Sequence, residues 1–378
     1  MNTWHILTCE YPPEVGGVSD YTKQVAEALA HSGDEVHVWC PARETQPTSP
    51  RVRVHPEMGR FRPSDLRRVG VLLSASQAPR RLLVQWVPHG YGYRSMNLWF
   101  CLWLANRALT GDSVELMVHE PFIELRRGPL RHLFIALVHR VMTVVLMSAA
   151  TRVWVSIPAW EPLLRAYALG RRVPIGWLPI PGCVGSEVDA PTASIKEKYA
   201  EGSKALIGHF GSYGREVSAM LEARLLPIMS LGSEPALLLI GARSEAFRSA
   251  FVARYPAWTD RVHATGYVAE GELAHVLDAC DLMVQPYPDG VSSRRTSVMA
   301  CLSHGRPVVT TSGHLTEPLW AERGAVVLAD VSNATGFVSG VARLLDDPRE
   351  RIQIGGAGQR LYRERFDVNH TVAVLRAA

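Results

Sequence analysis

The chain is poor in lysine. Lys23, Lys196, Lys198 and Lys204 are the only four among 40 basic residues, so 36 are arginine. An anion bound here meets bidentate guanidinium forks rather than point charges. There is no Asp-x-Asp pair, so a metal-bridged diphosphate has no visible ligand set. Gly-Lys-Ser/Thr is absent, which argues against ordinary ATPase chemistry, and without Gly-x-Gly-x-x-Gly a nicotinamide dinucleotide is disfavoured. The six cysteines, Cys9, Cys40, Cys101, Cys183, Cys280 and Cys301, have no metal-ligand spacing and sit mostly in apolar runs. They read as buried thiols in a reducing compartment. No apolar run reaches about 20 residues without a charge. The nearest, Leu133–Ile157, is broken by His139, Arg140 and Arg152. Met1–Cys9 has no basic start and runs straight into a strand pattern, so no leader is expected. The basic residues are dispersed, which gives a nucleic-acid partner little support. A cytoplasmic location is the expectation.

What is present describes a globular protein. The chain has 378 residues, of which 47% are hydrophobic, and its mean hydropathy is +0.02. That length suits two domains of about 180 residues. Strand and helix patterns alternate throughout, which implies parallel sheets covered by helices. In the first half, strand patterns fall at Ile6–Thr8, Val36–Cys40, Leu82–Trp86, Leu116–Val118, Val153–Ser156 and Ile175–Leu178. In the second they fall at Ala205–Phe210, Ala236–Ile240, Val262–Ala264, Leu282–Gln285, Pro307–Thr310 and Ala325–Leu328. Pro179–Thr192 is the best linker. The expected domains are residues 1–182 and 183–365, with a helical tail over 366–378.

Five post-strand segments carry the candidate chemistry, because ligands of doubly wound sheets bind at the carboxyl ends of strands. Thr8–Tyr21, TCEYPPEVGGVSDY, offers Gly16 and Gly17 for close backbone approach, with Ser19 or Asp20 as a helix cap. Leu116–Glu124 places His119 and Glu120 just past a strand, where they could meet a sugar hydroxyl. Gln85–Asn97 supplies Tyr91, Tyr93 and Trp86 for stacking on a sugar ring. Gly208–Arg215 brings Gly211 and Gly214, which leave room for a ligand, and Arg215, which could reach a phosphate. The richest segment is Gln285–Thr311, QPYPDGVSSRRTSVMACLSHGRPVVTT. There the N–H groups of Gly290–Ser293, including Ser292, can face an anion at a helix start, with Arg294 and Arg295 beside them. Being successive, the two arginines are expected to diverge, one toward phosphate and one toward an acid or solvent. Glu317 lies in a further post-strand loop and could bind a hydroxyl. Basic residues also cluster at Arg51–Arg68 and Arg126–Arg140. The second cluster, interleaved with Leu, Phe and Val, suits either a solvated helix face or an anionic membrane surface.

EYPPEVGGVSDY followed by AEALAHSGDEVHVWCP resembles the amino terminus of family 4 glycosyltransferases of the GT-B fold. PYPDGVSSRRTSVMACLSHGRPVVTT resembles their donor-site helix and the strand after it. The resemblance implies an α/β protein of two Rossmann-like doubly wound domains facing a central cleft. It implies retaining transfer from a nucleotide-diphosphate sugar without a metal or other cofactor, to a glycan, lipid-linked or small-molecule acceptor. It places Gly16 and Gly17 at the donor phosphate, makes His119 the first-domain active-site histidine, and sends the tail helix back to the first domain. The family's two donor-motif glutamates read Asp289 and Ser297 here, and its diphosphate-gripping lysine has no counterpart beyond Lys204. Arg215 and Arg294 are the substitutes, marking a divergent subgroup. Asp289, Arg294 and His119 are thus the expected catalytic set, with Tyr91, Tyr93 and Glu120 on the acceptor side. A silent subunit of a glycan-assembly complex and a nucleotide-sugar epimerase are the alternatives.

Overall fold

The computed structural model describes residues 1–14, 16–42, 51–125, 129–182, 192–203 and 205–378. By internal contacts the chain divides into a first unit, Met1–Pro179 with Val368–Ala378, and a second, Ile180–Asp367. Cys183, Lys204, Arg126 and most of the expected linker lie outside the described residues.

In the first unit, β1 (Thr3–Leu7), β2 (Glu35–Trp39), β3 (Val52–His55), β4 (Arg81–Trp86), β5 (Ser113–Val118), β6 (Arg152–Val155) and β7 (Ile175–Trp177) form one sheet. Its order is β3-β2-β1-β4-β5-β6-β7, with every pairing parallel. In the second unit, β8 (Leu206–Phe210), β9 (Ala236–Ile240), β10 (Val262–Ala264), β11 (Leu282–Gln285), β12 (Val308–Ser312) and β13 (Val327–Asp330) follow the same rule. Their order is β10-β9-β8-β11-β12-β13, again all parallel. Strands such as ALLLI and LMVQ are buried along their whole length, as a parallel sheet covered on both faces requires. The order reverses between β1 and β4 and again between β8 and β11, so each unit has one crevice where ligands of such sheets bind.

One strand, β3, escaped the sequence reading. Its residues Val-Arg-Val-His sit at the sheet edge with only Val52 buried, so a polar alternation inside a basic stretch concealed it. The tail helix Val368–Ala377 packs on Gly17–His31 within the first unit. Arg376 meets Asp34 at 3.2 Å, and Arg81 donates to the Leu375 carbonyl at 2.8 Å.

Candidate active site

In the first unit, the helix Gly17–His31 begins earlier than its Ser19 and Asp20 suggested, and neither residue caps it. The cap comes from Glu10, whose Oε1 accepts from the N–H groups of Val18 and Ser19, both at 3.0 Å. A carboxylate here satisfies two orphan donors and the positive end of the dipole. The helix start that Gly16 and Gly17 were expected to present to a phosphate is thus bonded to Glu10. A Cβ on Gly16 would lie 2.4 Å from Glu10 Oε1, whereas one on Gly17 would meet nothing within 4 Å. Gly16 therefore makes room for Glu10.

His119 follows β5. Its Nε2 donates to Gln85 Oε1 at 2.9 Å, and Tyr21 packs edge-on at 5.0 Å between centroids. Ser156 Oγ and Trp160 Nε1 both donate to the His119 carbonyl. Burial pushes its pKa down to about 3, so the imidazole is neutral and Nδ1 is its acceptor. Beside it, Tyr21 Oη and Gln85 Nε2 are buried without a partner among the described residues. Such groups mark a place where something else completes the bonding. Glu120 is half-buried, with His89 Nδ1 at 3.8 Å.

Tyr91 and Trp86 do not stack on a sugar. Tyr91 is 1% exposed, donates to the Gln85 carbonyl at 2.5 Å and lies between the rings of Trp86 and Phe100. Both are core residues, buried by the apolar face of the helix Leu98–Leu109. Tyr93 is different, being 42% exposed at the rim of a cavity of about 590 Å³ that Glu10, Arg60, Arg62 and His89 also line. Tyr93, Arg94 and Ser95 are consecutive residues at φ of 51°, 52° and 73°. Non-glycine residues held in the left-handed region cost free energy, and such strain gathers at ligand sites.

In the second unit the crevice is cross-braced. His209 Nδ1, on β8, donates to the Val284 carbonyl of β11 at 2.8 Å, and Gln285 Nε2 donates back to the Phe210 carbonyl at 3.0 Å. Burial holds His209 neutral, with its pKa near 4. Its Nε2 and the Ser292 hydroxyl are buried without a partner among the described residues. Gly211 leaves His209 Nε2 3.4 Å from where a Cβ would stand. Gly214 has open space around it and precedes the helix Arg215–Met229, whose first residue, Arg215, is exposed.

Arg294 and Arg295 do not diverge. Both guanidinium groups bind Asp289, Arg294 through Oδ2 at 2.5 Å and Arg295 through Oδ1. The intervening chain curls before the helix Thr296–Ser303 begins, which defeats the helix-face argument for separating them. Burial alone would raise the Asp289 pKa, but the charges of Arg295 and Arg294 more than offset it and hold the carboxyl below its usual range. Arg295 also lies over the Tyr287 ring at 4.4 Å, and Tyr287 Oη bonds Ser297 Oγ at 2.7 Å and Gln285 Oε1 at 3.2 Å. Two cations on one carboxylate leave one net positive charge at the end of β11.

The neighbouring loop corrects two further expectations. The Gly290, Val291 and Ser293 N–H groups are bonded to the Tyr287 carbonyl, the Thr311 carbonyl and Glu317 Oε1, so they do not await an anion. Gly290, at φ 85°, is needed because a Cβ there would stand 2.2 Å from Gly313 N. Glu317 is 6% exposed and fully engaged: Oε1 takes the Ser293 N–H and hydroxyl, and Oε2 takes Trp320 Nε1 at 2.8 Å. Burial raises its pKa while those hydrogen bonds oppose the rise. It fastens the loop and does not reach for a ligand hydroxyl.

Gln85, Gln285, His209 and Tyr287 were missed by sequence reasoning as site residues. A signal existed: β4 carries Leu-Leu-Val-Gln just before its last residue, Trp86, and β11 is Leu-Met-Val-Gln, the same pattern on the strand beyond each reversal. Among the described residues, no group of three His, Cys, Asp or Glu side chains is arranged to hold a metal.

Residues 207–347 match the family model described as Glycosyl transferases group 1. No curated protein sequence matches the chain. Solved structures do resemble it. Sucrose-phosphate synthase from Thermosynechococcus elongatus is 16% identical with a TM-score of 0.73, covering 100% of this chain and 97% of its own. HepE of Anabaena in complex with UDP is 14% identical with a TM-score of 0.68, covering 100% of both chains. WaaG, a glycosyltransferase involved in lipopolysaccharide biosynthesis, is 14% identical with a TM-score of 0.67, covering 99% and 98%. At these identities the likeness establishes the fold, and that fold is GT-B.

Proposed function

We infer that this chain, a GT-B glycosyltransferase whose second unit carries the group 1 domain, moves a sugar from a nucleoside-diphosphate donor with retention and without a metal. The observation that carries the reading is the pair Arg294 and Arg295 on Asp289. Its one net positive charge, fixed in advance by a carboxylate, suits the diphosphate whose negative charge grows as the glycosidic bond breaks. Preorganised guanidinium groups would do there what a cation does elsewhere. The HepE structures with UDP and UDP-glucose add support for a nucleotide-sugar partner.

The first unit supplies neutral His119, whose Nδ1 can accept a sugar hydroxyl, and the cavity beside Tyr93 as the acceptor's place. Among the described residues, the carboxylates at the second unit's crevice, Asp289 and Glu317, are both engaged. Retention then proceeds with the leaving phosphate taking the acceptor's proton. The same engagement leaves an epimerase without its acid and base. It favours one other reading, a silent subunit that binds nucleotide without turnover.

Titration calorimetry with UDP and other nucleoside diphosphates tests the site. Losing one charge-assisted contact weakens binding by about 1.5–3 kcal/mol, roughly 10- to 150-fold, and Arg294→Ala should fall in that range with the melting temperature retained. Unchanged affinity would remove Arg294 from the site. Binding without release of sugar from any donor would leave the silent reading standing.

A further inference from the structure

Among the described residues, 17 large hydrophobic side chains are exposed, and all but Tyr267 and Ile352 belong to the first unit. Ordinary surface helices face water with polar residues, so this asymmetry calls for a cause. It centres on two helices, Leu98–Leu109 and Leu130–Ala149, which pack side by side. On the second, Leu130, Leu133, Phe134, Leu137 and Val141 follow helical spacing and are all exposed, Leu130 by 84% and Phe134 by 60%. On the first, Trp99 is 57% exposed and Leu102 44%.

Leu130–Ala149 is long and apolar enough to cross a membrane by length and composition. Its opposite face, however, is committed to the core through Ala136, His139, Met142, Thr143, Leu146 and Met147. Arg140 is committed too, bonded to the Ile123 and Ala136 carbonyls and stacked on Phe122. The helix therefore has two apolar faces, one filled and one exposed. Neither helix contains an acidic residue, while Arg131 is exposed on the second helix and Arg94 is exposed in the turn that precedes the first. Glu124 is the exposed acid closest in sequence.

We propose that these two helices dock the first unit on an anionic lipid bilayer, with Phe134, Leu137 and Trp99 entering the headgroup–acyl boundary and Arg131 and Arg94 meeting lipid phosphates. Exposed apolar side chains on helices that carry arginine and no acid are the combination that holds a protein in an interface. His139 Nε2 donates to the Ser95 carbonyl at 2.6 Å, tying the docking helix to the strained Tyr93–Ser95 turn at the acceptor cavity. The proposal goes beyond the proposed reaction, since bilayer binding requires no donor, and its test is independent of catalysis.

The test is sedimentation of the full chain with vesicles of phosphatidylglycerol and phosphatidylcholine, against phosphatidylcholine alone. Binding should prefer the anionic vesicles by at least about tenfold and weaken with salt. Phe134→Asp with Leu137→Asp should abolish it while nucleoside-diphosphate affinity and melting temperature stay unchanged, and Arg131→Glu should weaken it severalfold. Equal binding by the double variant, or none by the unaltered chain, overturns the proposal. So does a dimer in light scattering that the double variant splits without any vesicle binding, which would assign the face to a second copy.

Discussion

The two units share a strand order up to and through the reversal, and each sets a glutamine in the last two residues of the strand beyond it. They fill the resulting crevices with opposite charge. In the first, a carboxylate, Glu10, occupies the helix start and a neutral imidazole stands beside it. In the second, a carboxylate is spent holding two guanidinium groups, and a net positive charge is left over. Topology decides where a ligand can sit, and the few side chains at the reversal decide its charge. On that ground the proposed donor is assigned to the second unit.

The sharpest way to break this comparison is through the two carboxylates that organise backbone amides. Glu317 is buried and holds the Ser293 amide, the Ser293 hydroxyl and the Trp320 indole, whereas half-buried Glu10 holds two amides at a helix start. Glu317→Ala would remove the acceptor of three buried donors, and a buried donor left unpaired costs about 1–3 kcal/mol. We expect a loss of roughly 4 kcal/mol in the second unit's stability together with weakened nucleotide binding, because the loop that aims Arg294 is released. Chemical denaturation of the variant, followed by circular dichroism, measures it. A loss under about 1 kcal/mol would mean that the loop is held by other contacts.

Acid should separate the units next. In the first, burial pushes His5 and His55 down to about 4, with His37 adding charge repulsion, and His119 down to about 3. The second has His209 at about 4 as its comparable deeply buried histidine. The sign follows from linkage: a native pKa below the unfolded 6.5 means the unfolded chain takes up the proton first. The stabilising contribution is complete above about pH 6.5 and is lost as pH falls toward 4. For His5, 1% exposed, the loss is on the order of 3 kcal/mol. The first unit should therefore open first. Cysteine labelling with an acid-active disulfide reagent reads this out, since Cys9, Cys40 and Cys101 lie in one unit and Cys280 and Cys301 in the other, all buried. Labelling of the second set first would reverse the assignment.

The frame of the molecule was legible in the sequence because its strands are buried on both faces, and continuous apolar runs between helical patterns have few other readings. The exception was β3, an edge strand with arginine and histidine outward. Site residues were legible as places more than as roles. His119 and Asp289 follow strands, as read. What the sequence could not show is which donors are already taken: that Glu10 reaches back to a helix eight residues on, or that Glu317 closes on Ser293 across 24 residues. Such pairings depend on tertiary approach, and local periodicity does not encode it. Tyr91 shows the same limit, since an aromatic in a polar loop folded inward onto Trp86 and Phe100.

The smallest effect probes whether the first crevice rejects anions only because its own carboxylate is there. Glu10→Ala frees the Val18 and Ser19 amides at the start of a 15-residue helix. Loss of such a cap costs about 1 kcal/mol, a fall of some 2–4 °C in melting temperature for a domain of this size. The freed helix start is then an anion site, so phosphate added to the variant should restore part of the loss while leaving the unaltered chain's first unit unmoved. Nucleoside-diphosphate affinity should stay the same in both if, as proposed, that charge is read by Arg294 and Arg295. If Glu10→Ala instead raised nucleotide affinity, the donor phosphate would be meeting Gly16 and Gly17 after all, with Glu10 as the group it displaces.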